Sequence, residues 1–301
     1  MNKWPSLKQI HYIVTLYETR HFSDAAQRCF VSQSTLSKGI QTLETLIGCP
    51  LYEKNDKKSS LVFTHAGEQV VKQGRDLLAK GQDLMDLGKF CQGELMEGQL
   101  KLGCIPTIAP FLLGDLVQQI NLQFPKLHLL LREDTTTNLL QALSHGELDV
   151  LILALPVDIG NMESRVVGLD PFRMVISRHQ ASQIRVPIKY DELPDESVFL
   201  LENEHCLTEH AVSACQLTDK EKINPFTATS LHTLVQMVAN GLGMTFIPQM
   251  AIDHGLLDNQ NLVIVDPPGN SAYRQIGLVW RPSTSRRDVF HRLGDLVAEL
   301  L

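Results

Sequence analysis

The chain has 301 residues, of which 44% are hydrophobic and 20% charged, and its formal net charge is -7. This length predicts about two or three domains, and the composition is that of a globular protein rather than a disordered, collagen-like or membrane one. No apolar run reaches the roughly 18 residues of a membrane span, and the N-terminus lacks the layout of a signal peptide, so we expect a cytoplasmic protein. Six cysteines without a Cys-x-x-Cys pair exclude a zinc ribbon and favour reduced thiols.

Charge is distributed unevenly along the chain. Residues 1–91 carry 12 Lys and Arg against 9 Asp and Glu, whereas residues 92–301 carry 15 against 25. A basic N-terminal part followed by an acidic remainder is typical of a protein whose first domain binds nucleic acid, although many such differences in charge have no function.

Three helices are predicted in the first fifty residues. Apolar residues at helical spacing from Leu7 to Tyr17 indicate the first, a short second one follows, and Ser32 caps a third that ends at Gly48. The last two form a helix-turn-helix, whose second helix reads bases in the major groove. Polar side chains at its start can read base edges, and lysines there and in the next, hairpin-like segment can neutralise phosphates. The predicted DNA-binding residues are Gln33, Ser34, Thr35, Ser37, Lys38, Lys54, Lys57 and Lys58. Spacing alone also fits a helical bundle whose polar residues merely face solvent.

One long helix is predicted from Thr64, a suitable N-cap, to about Cys91. Two sets of residues repeat every seven positions along it, the apolar Val70, Leu77, Leu84 and Cys91, and the glycines Gly74, Gly81 and Gly88. Such a seam is typical of a helix that pairs with another helix, and the glycines indicate a closely packed neighbouring backbone. The sequence therefore predicts a homodimer that reads a two-fold DNA operator, with a solitary helix as the alternative.

Strands and helices alternate from residue 99 to residue 154, and a second set follows up to residue 265. Such alternation predicts right-handed crossovers and a parallel sheet. A strand at 275–280 and the last helix, at 288–301, are predicted to return to the first set. The result is two α/β lobes with a ligand cleft between them.

Cys206 and Cys215 lie in one polar segment beside His205 and His210. If residues 207–215 are helical, the two cysteines are separated by roughly 13 Å along the axis, whereas a disulfide needs Cα atoms within about 7 Å. A disulfide between them would have to melt the helix, which is the behaviour of a switch. From spacing alone, two unrelated thiols are better supported, and the histidines fit solvated or hydrogen-bonded groups better than metal ligands.

The run FSDAAQRCFVSQSTLSKGIQTLETLIGCPLYEKNDKKSSLVFTHAG ends in a Thr-x-Ala-Gly element at residues 64–67 and resembles the DNA-binding part of LysR-type transcriptional regulators. Ser34 departs from the Pro of many members, and Lys54 with Asn55 stands where a wing Arg is more usual. The resemblance implies an N-terminal all-α winged helix-turn-helix at 1–63, a linker and dimerisation helix at 64–92, and a regulatory domain of two α/β lobes, of the periplasmic-binding-protein type, at 93–301. It also implies a homotetramer that contacts RNA polymerase.

The segments GQLKLGCIPTIAP, EHCLTEHAVSAC and TSLHTLVQMVANGLGMTFIP look like those of the hydrogen-peroxide-sensing members of this family. By position, the resemblance implies that Cys206 is the peroxidatic thiol and Cys215 the resolving thiol of a disulfide, which refolds the regulatory domain and alters DNA binding to control antioxidant genes. It implies a peroxide pocket formed by Thr107, Thr136, His205 and Arg274. Glu204 stands where these members usually have glycine, so we expect it to tune peroxide sensitivity, in a direction that the sequence does not give.

Three functions fit these residues, and the first is the peroxide-sensing regulator. The second is a LysR-type regulator that holds a small organic anion in the cleft with Thr107 and Thr136, and the third is a thiol peroxidase that uses Cys206 and Cys215. No motif of another catalytic class and no metal-ligand spacing is present. We therefore expect a regulator, not an enzyme, without metal or cofactor, whose partners are double-stranded DNA, hydrogen peroxide and further copies of the chain, and not a membrane.

Overall fold

The structure, a computed structural model, describes residues 4–55, 60–90, 96–182, 193–202, 206–214, 217, 220–258, 260–267 and 272–301. The chain separates into two compact units. The N-terminal unit contains the chain up to residue 93 and two short later segments, and the C-terminal unit contains the rest. Within the described ranges, no helix combines the length and hydrophobicity that crossing a membrane requires.

The described residues of the N-terminal unit form four helices and a two-stranded antiparallel sheet. They are α1 (Leu7–Thr19), α2 (Phe22–Arg28), α3 (Gln33–Ile47), β1 (Tyr52–Asn55), β2 (Ser60–Phe63) and α4 (His65–Phe90). Their core includes Ile13, Leu16, Leu36, Ile40 and Leu43, which are fully buried. The predicted helix-turn-helix is therefore formed by α2 and α3, the hairpin-like segment is the β1–β2 wing, and the long helix is α4.

Side-chain caps define where α3 and α4 begin. Ser32 Oγ accepts a hydrogen bond of 3.2 Å from a backbone N–H in the first turn of α3, and Gly48, with a φ of 86°, ends that helix. Thr64 Oγ1 accepts from the Gly67 N–H at 3.0 Å and donates to the Pro50 carbonyl at 2.9 Å. Thr64 therefore starts α4 and also ties it to the segment in front of the wing.

The heptad glycines of α4 that are described lie against α1. A Cβ at Gly74 would lie 2.8 Å from the Ile10 side chain, and one at Gly81 would lie 3.7 Å from that of Leu7. Within the described part of the chain, their neighbours are thus side chains rather than the backbone that the spacing predicts. Three apolar side chains along α4 stay largely exposed, namely Leu77, Leu84 and Met85.

Eleven strands are described in all, and nine of them lie with seven helices in the C-terminal unit. They are β3 (Gly98–Cys104), α5 (Ala109–Gln123), β4 (Leu127–Glu133), α6 (Thr136–Ser144), β5 (Val150–Leu155), β6 (Glu163–Ser177), α7 (Arg178–Ala181), β7 (Val198–Leu201), α8 (Cys206–Ala214), β8 (Ile223–Ala228), α9 (Leu231–Ala239), β9 (Met244–Pro248), α10 (Gln249–Asp253), β10 (Leu262–Val265), β11 (Tyr273–Trp280) and α11 (Arg287–Leu300).

Strand β6 passes through both lobes of this unit. In the first lobe the strand order is β4-β3-β5-β11-β6, and in the second it is β6-β9-β7-β8, with β10 also paired to β6. Residues 163–171 of β6 pair with β11, whereas residues 172–176 pair with β9. The two predicted α/β lobes are therefore present and share one continuous strand.

The expectation of a parallel sheet is only partly correct. Strand β3 is parallel to β4 and β5, and β7 is parallel to β8 and β9. Strand β6 is antiparallel to β9, β10 and β11, and β11 is antiparallel to β5. The sheet is mixed because β6 runs from one lobe into the other and β11 returns beside it.

Gly67 leaves no room for a side chain in the first turn of α4, since a Cβ there would lie 1.9 Å from the Leu51 carbonyl oxygen. We predict that Gly67→Ala pushes α4 away from Leu51 and lowers the free energy of unfolding by about 1–3 kcal/mol. Thermal unfolding followed by circular dichroism measures this change. Gly114→Ala in α5, where nothing lies within 4 Å of the added Cβ, is the matched control and is expected to stabilise by about 0.5–1 kcal/mol. Equal stabilities of the two variants would contradict the prediction.

Candidate functional site

Arg274 of β11 and Asp170 of β6 form a buried ion pair. The two residues are opposite each other in the antiparallel ladder. Arg274 Nε donates to Asp170 Oδ2 at 3.0 Å, and Nη2 lies 2.9 Å from the same oxygen. Only 1% of Arg274 and 2% of Asp170 is exposed. Because an isolated charge is costly to bury, each partner is stable here only through the other.

Thr107 lies in the turn between β3 and α5 and receives two hydrogen bonds from Arg274. Its Oγ1 accepts from Nη1 at 2.8 Å, and its carbonyl oxygen accepts from Nη2 at 3.0 Å. A guanidinium only donates, so the Thr107 hydroxyl must accept in this bond and keeps its own hydrogen for another partner. The structure therefore brings two of the predicted pocket residues, Thr107 and Arg274, into direct contact.

Thr136 is the first residue of α6, and it is buried like Thr107. In the parallel pair of β3 and β4, Cys104 is opposite Glu133, and each threonine follows its strand by three residues. Both threonines therefore lie at the carboxyl edge of the first lobe's sheet, where open α/β sheets bind ligands. Among the described residues, the buried Thr136 Oγ1 has no hydrogen-bond partner, which leaves it able to bind one.

Sequence reasoning missed Asp170, which holds the site together. Its second carboxylate oxygen, Oδ1, accepts a hydrogen bond of 3.0 Å from the Met250 N–H in α10. Asp170 thus joins β6, β11 and α10. The apolar residues at 174–177 predict a strand, and Asp170 lies in front of that segment. An acidic residue inside a buried strand is the signal that an arginine must face it.

Helix α8 begins at Cys206 and packs against β7 and β11. Thr208 Oγ1 donates to the Leu201 carbonyl at 2.8 Å, which fastens the first turn of α8 to the end of β7. The predicted helix at 207–215 is confirmed up to residue 214. Of Cys206 the structure describes the backbone alone, and Glu204, His205 and Cys215 lie outside the described residues.

His210 fixes α8 to the first lobe. Its Nε2–H donates to the Pro156 carbonyl at 2.8 Å, and the residue is only 8% exposed. Burial is the main cause that lowers the pKa of His210, and the positive charge of Arg274 lowers it further against the raising effect of the Pro156 bond. His210 is therefore neutral at pH 7 and hydrogen-bonded, and no cluster of three metal ligands occurs among the described residues.

Cys104 differs from a reactive thiol. It is fully buried in β3, and burial raises the pKa of its thiol, as does the charge of Glu133. A protonated, inaccessible thiol neither attacks oxidants nor binds metals, so Cys104 acts as a small hydrophobic residue, as its place in an apolar strand predicts.

The start of α3 presents most of the predicted base-reading side chains to solvent. Gln33, Ser34, Thr35 and Lys38 are exposed and Ser37 is half-buried. The N-cap hydroxyl of Ser32 lies 2.9 Å from Ser34 Oγ and 2.7 Å from Thr35 Oγ1. The Lys54 backbone is part of β1, whereas Lys57 and Lys58 lie outside the described residues.

Two family models match the chain. The LysR substrate binding domain matches residues 93–301, and the bacterial regulatory helix-turn-helix protein of the lysR family matches residues 7–68. The chain therefore belongs to the LysR family of transcriptional regulators, which bind DNA and oligomerise and are not enzymes.

Named relatives place it near OxyR within this family. The DNA-binding transcriptional dual regulator OxyR of Escherichia coli is 34% identical over 97% of this chain and 94% of its own length. The reduced regulatory domain of OxyR2 from Vibrio vulnificus is 82% identical, with a TM-score of 0.67, over 68% of this chain and 97% of that one. EstR of Acinetobacter baylyi, a different regulator, is 39% identical over 98% of this chain and 97% of its own length. The chain is therefore an OxyR-like LysR regulator.

The lowered pKa of His210 makes the fold sensitive to acid. The unfolded chain binds a proton at this histidine near the usual pKa of 6.5, whereas the folded chain resists it, so stability falls as the pH drops below that value. We predict that His210→Gln, whose side-chain N–H can still donate to the Pro156 carbonyl, loses less stability than the parent between about pH 7 and pH 5. Chemical denaturation at several pH values measures this difference, with His128→Gln, an exposed histidine of β4, as control. A parallel pH dependence of parent and His210→Gln would contradict the prediction.

Proposed function

We propose that this LysR regulator senses hydrogen peroxide through oxidation of Cys206. The observation that carries the proposal is the hydrogen bond from Arg274 to Thr107. It leaves the Thr107 hydroxyl hydrogen available to donate, and Thr136 offers a second hydroxyl at the same sheet edge, which has no hydrogen-bond partner among the described residues. Each oxygen of hydrogen peroxide can donate and accept hydrogen bonds, so each can pair with one of these two hydroxyls. The likeness to the hydrogen peroxide-inducible genes activator of Dickeya chrysanthemi, which is 34% identical over 98% of this chain and 95% of its own length, supports this function.

The proposed reaction begins with the thiolate of Cys206. The thiolate sulfur attacks one oxygen of the peroxide, the O–O bond breaks, and the second oxygen leaves as hydroxide, which takes up a proton to become water. The hydroxyls of Thr107 and Thr136 hold the two oxygens and stabilise the charge that develops on the leaving one. His205 favours the thiolate, whereas Arg274 contributes through its hydrogen bond to Thr107, since Asp170 balances its charge. The sulfur of Cys206 is thereby oxidised to a sulfenic acid.

A disulfide completes the proposed switch. The thiol of Cys215 attacks the sulfenic sulfur of Cys206, an S–S bond forms, and a second water leaves. Because α8 is helical from Cys206 to Ala214, the two cysteines come together only if this helix unwinds. Its refolding changes how the regulatory domains pack and hence how the paired DNA-binding domains meet their operator. Cellular thiol systems reduce the disulfide again and reset the switch.

The proposed assembly follows the three parts of the chain. Residues 1–63 bind DNA, residues 64–92 form the linker helix, and residues 93–301 carry the sensor. The exposed apolar side chains of α4, Leu77, Leu84 and Met85, support a homodimer through this helix. Two such dimers form a homotetramer that contacts RNA polymerase and controls antioxidant genes.

A second candidate function is supported by the match of residues 93–301 to the LysR substrate binding domain. In this alternative, a small organic anion binds between the lobes, Thr107 and Thr136 hold its carboxylate, and the cysteines are incidental. The two functions differ in one respect that can be tested directly. Cys206→Ser abolishes a response to peroxide but leaves a response to an organic inducer intact.

Thiol mapping by mass spectrometry tests the proposed function. We predict that a small excess of hydrogen peroxide converts Cys206 and Cys215 of the purified, reduced protein to a disulfide while the other four thiols stay reduced. Cys206→Ser is the control, in which Cys215 also stays reduced. Recovery of both cysteines as thiols in the parent would contradict peroxide sensing.

The proposed tuning role of Glu204 is tested by the rate of Cys206 oxidation in the parent and in Glu204→Gly. Equal rates in the two proteins would remove this role.

DNA-binding variants test the proposed use of α3. We predict that Gln33→Ala weakens operator binding by about 1–3 kcal/mol and relaxes base preference at one position, because its amide reads a base edge. Lys38→Ala is its matched partner. It should weaken binding to all sequences alike and reduce the salt dependence by about one phosphate contact. Fluorescence anisotropy against operator and scrambled DNA at several salt concentrations measures both. Identical behaviour of the two variants would contradict the assignment.

A further inference from the structure

The ion pair of Arg274 and Asp170 gives the described part of the site no net charge. Arg274 is 1% exposed, and both of its contacts with Asp170 are at 3.0 Å or less. Two other titratable groups interact electrostatically with Arg274, namely Cys104 and His210. Burial raises the pKa of the first and lowers that of the second, so both are neutral at pH 7. The positive charge of Arg274 is therefore balanced by Asp170 alone among these groups.

This balance decides which kind of ligand the site can hold. A small anion that enters a buried site loses its hydration, and only an unbalanced positive charge or several donors can offset that cost. Here the guanidinium charge is already matched by a carboxylate in contact with it. An anion beside Arg274 would also be repelled by the negative charge of Asp170, whose Oδ2 is 2.9 Å from Arg274 Nη2. Hydrogen peroxide has no charge, so it gains the donors of the site without this repulsion.

Two hydrogen bonds hold the Asp170 carboxylate in place. Oδ2 accepts from Arg274 and Oδ1 accepts from the Met250 N–H at 3.0 Å, so each carboxylate oxygen has a fixed donor. The carboxylate can neither turn away from Arg274 nor be reached by water, since it is 2% exposed. Its compensation of the arginine is thus a permanent feature of the folded domain.

We propose that Asp170 is a specificity-determining residue, which neutralises Arg274 so that the site accepts uncharged peroxide and rejects small anions. This inference rests on the proposed function and names the residue that separates it from the organic-anion alternative. Without the carboxylate charge, the positive charge of Arg274 would no longer be balanced. The same site would then bind small anions.

Anion inhibition of Cys206 oxidation tests this proposal on the full-length protein. The rate of Cys206 thiol loss after mixing with hydrogen peroxide is measured by alkylation and mass spectrometry, in sodium sulfate and in sodium HEPES of equal ionic strength. The bulky HEPES anion supplies the baseline. In the parent the two salts give the same rate. In Asp170→Asn sulfate slows oxidation by at least about tenfold and raises the thermal midpoint by more than it does in the parent, as a ligand of the folded state does beyond the general stabilising effect of sulfate.

The double variant Asp170→Asn/Arg274→Gln is the matched control, since it restores neutrality without the ion pair. Its oxidation is slower, but sulfate leaves its rate unchanged and raises its thermal midpoint only as much as that of the parent. The proposal is overturned if sulfate slows the parent tenfold, or if folded Asp170→Asn responds to sulfate as the parent does in both measurements. If Asp170→Asn does not fold, Asp170→Glu, which keeps the charge, takes its place. The parent and Asp170→Glu must then both ignore sulfate, and slowing of either overturns the proposal.

Failure of the proposed function gives a different result. In that case hydrogen peroxide leaves Cys206 of the parent unmodified in either salt. The thermal midpoints of the parent, of Asp170→Asn and of the double variant in sulfate then still report whether Asp170 excludes anions.

Discussion

The buried contact between Arg274 and Asp170 connects four parts of the described site, namely β11, β6, α10 and the turn after β3. Arg274 comes from β11 and reaches the turn after β3 through Thr107, whereas Asp170 comes from β6 and reaches α10 through the Met250 N–H. Loss of one partner of such a pair leaves an unpaired buried charge, which typically costs about 3–5 kcal/mol. The pair therefore fixes the position of the guanidinium and, through it, the orientation of the Thr107 hydroxyl.

The same strands support the helix that carries the proposed peroxidatic cysteine. Helix α8 packs against β7 and β11, Thr208 binds the end of β7, and His210 binds Pro156 just after β5. A change that unwinds α8 must break these contacts. One of them is with β11, the strand that carries Arg274, and another is with Pro156, which follows the neighbouring strand β5. In the proposed mechanism, oxidation of Cys206 therefore changes how one short helix packs on the sheet. Strand β6 belongs to that sheet in both lobes.

Local signals in the sequence were sufficient for the number of lobes and for the described helices other than the short α7 and α10, which were not predicted. Ser32, Gly48 and Thr64 act as the caps that their residue types predict, and the alternation of strands and helices predicts two α/β lobes. Strand β8 escaped prediction because Asn224 and Pro225 disfavour strands, and an edge strand tolerates them. Asp170 escaped because its partner is 104 residues away, and no local pattern reveals which buried arginine balances a buried carboxylate. Thr107, Thr136 and Arg274 were found through family resemblance, not through periodicity or spacing.

The central claim is that Arg274 orients the Thr107 hydroxyl so that its hydrogen is donated to peroxide. The most direct measurement is the second-order rate constant for Cys206 oxidation in Thr107→Val and in Thr107→Ser. Valine keeps the shape of threonine without the hydroxyl, and serine keeps the hydroxyl without the methyl group. The account predicts a loss of about a hundredfold for valine, the effect of removing one preorganised donor, and a rate within a few-fold of the parent for serine. A Thr107→Val variant that is oxidised as fast as the parent would contradict it.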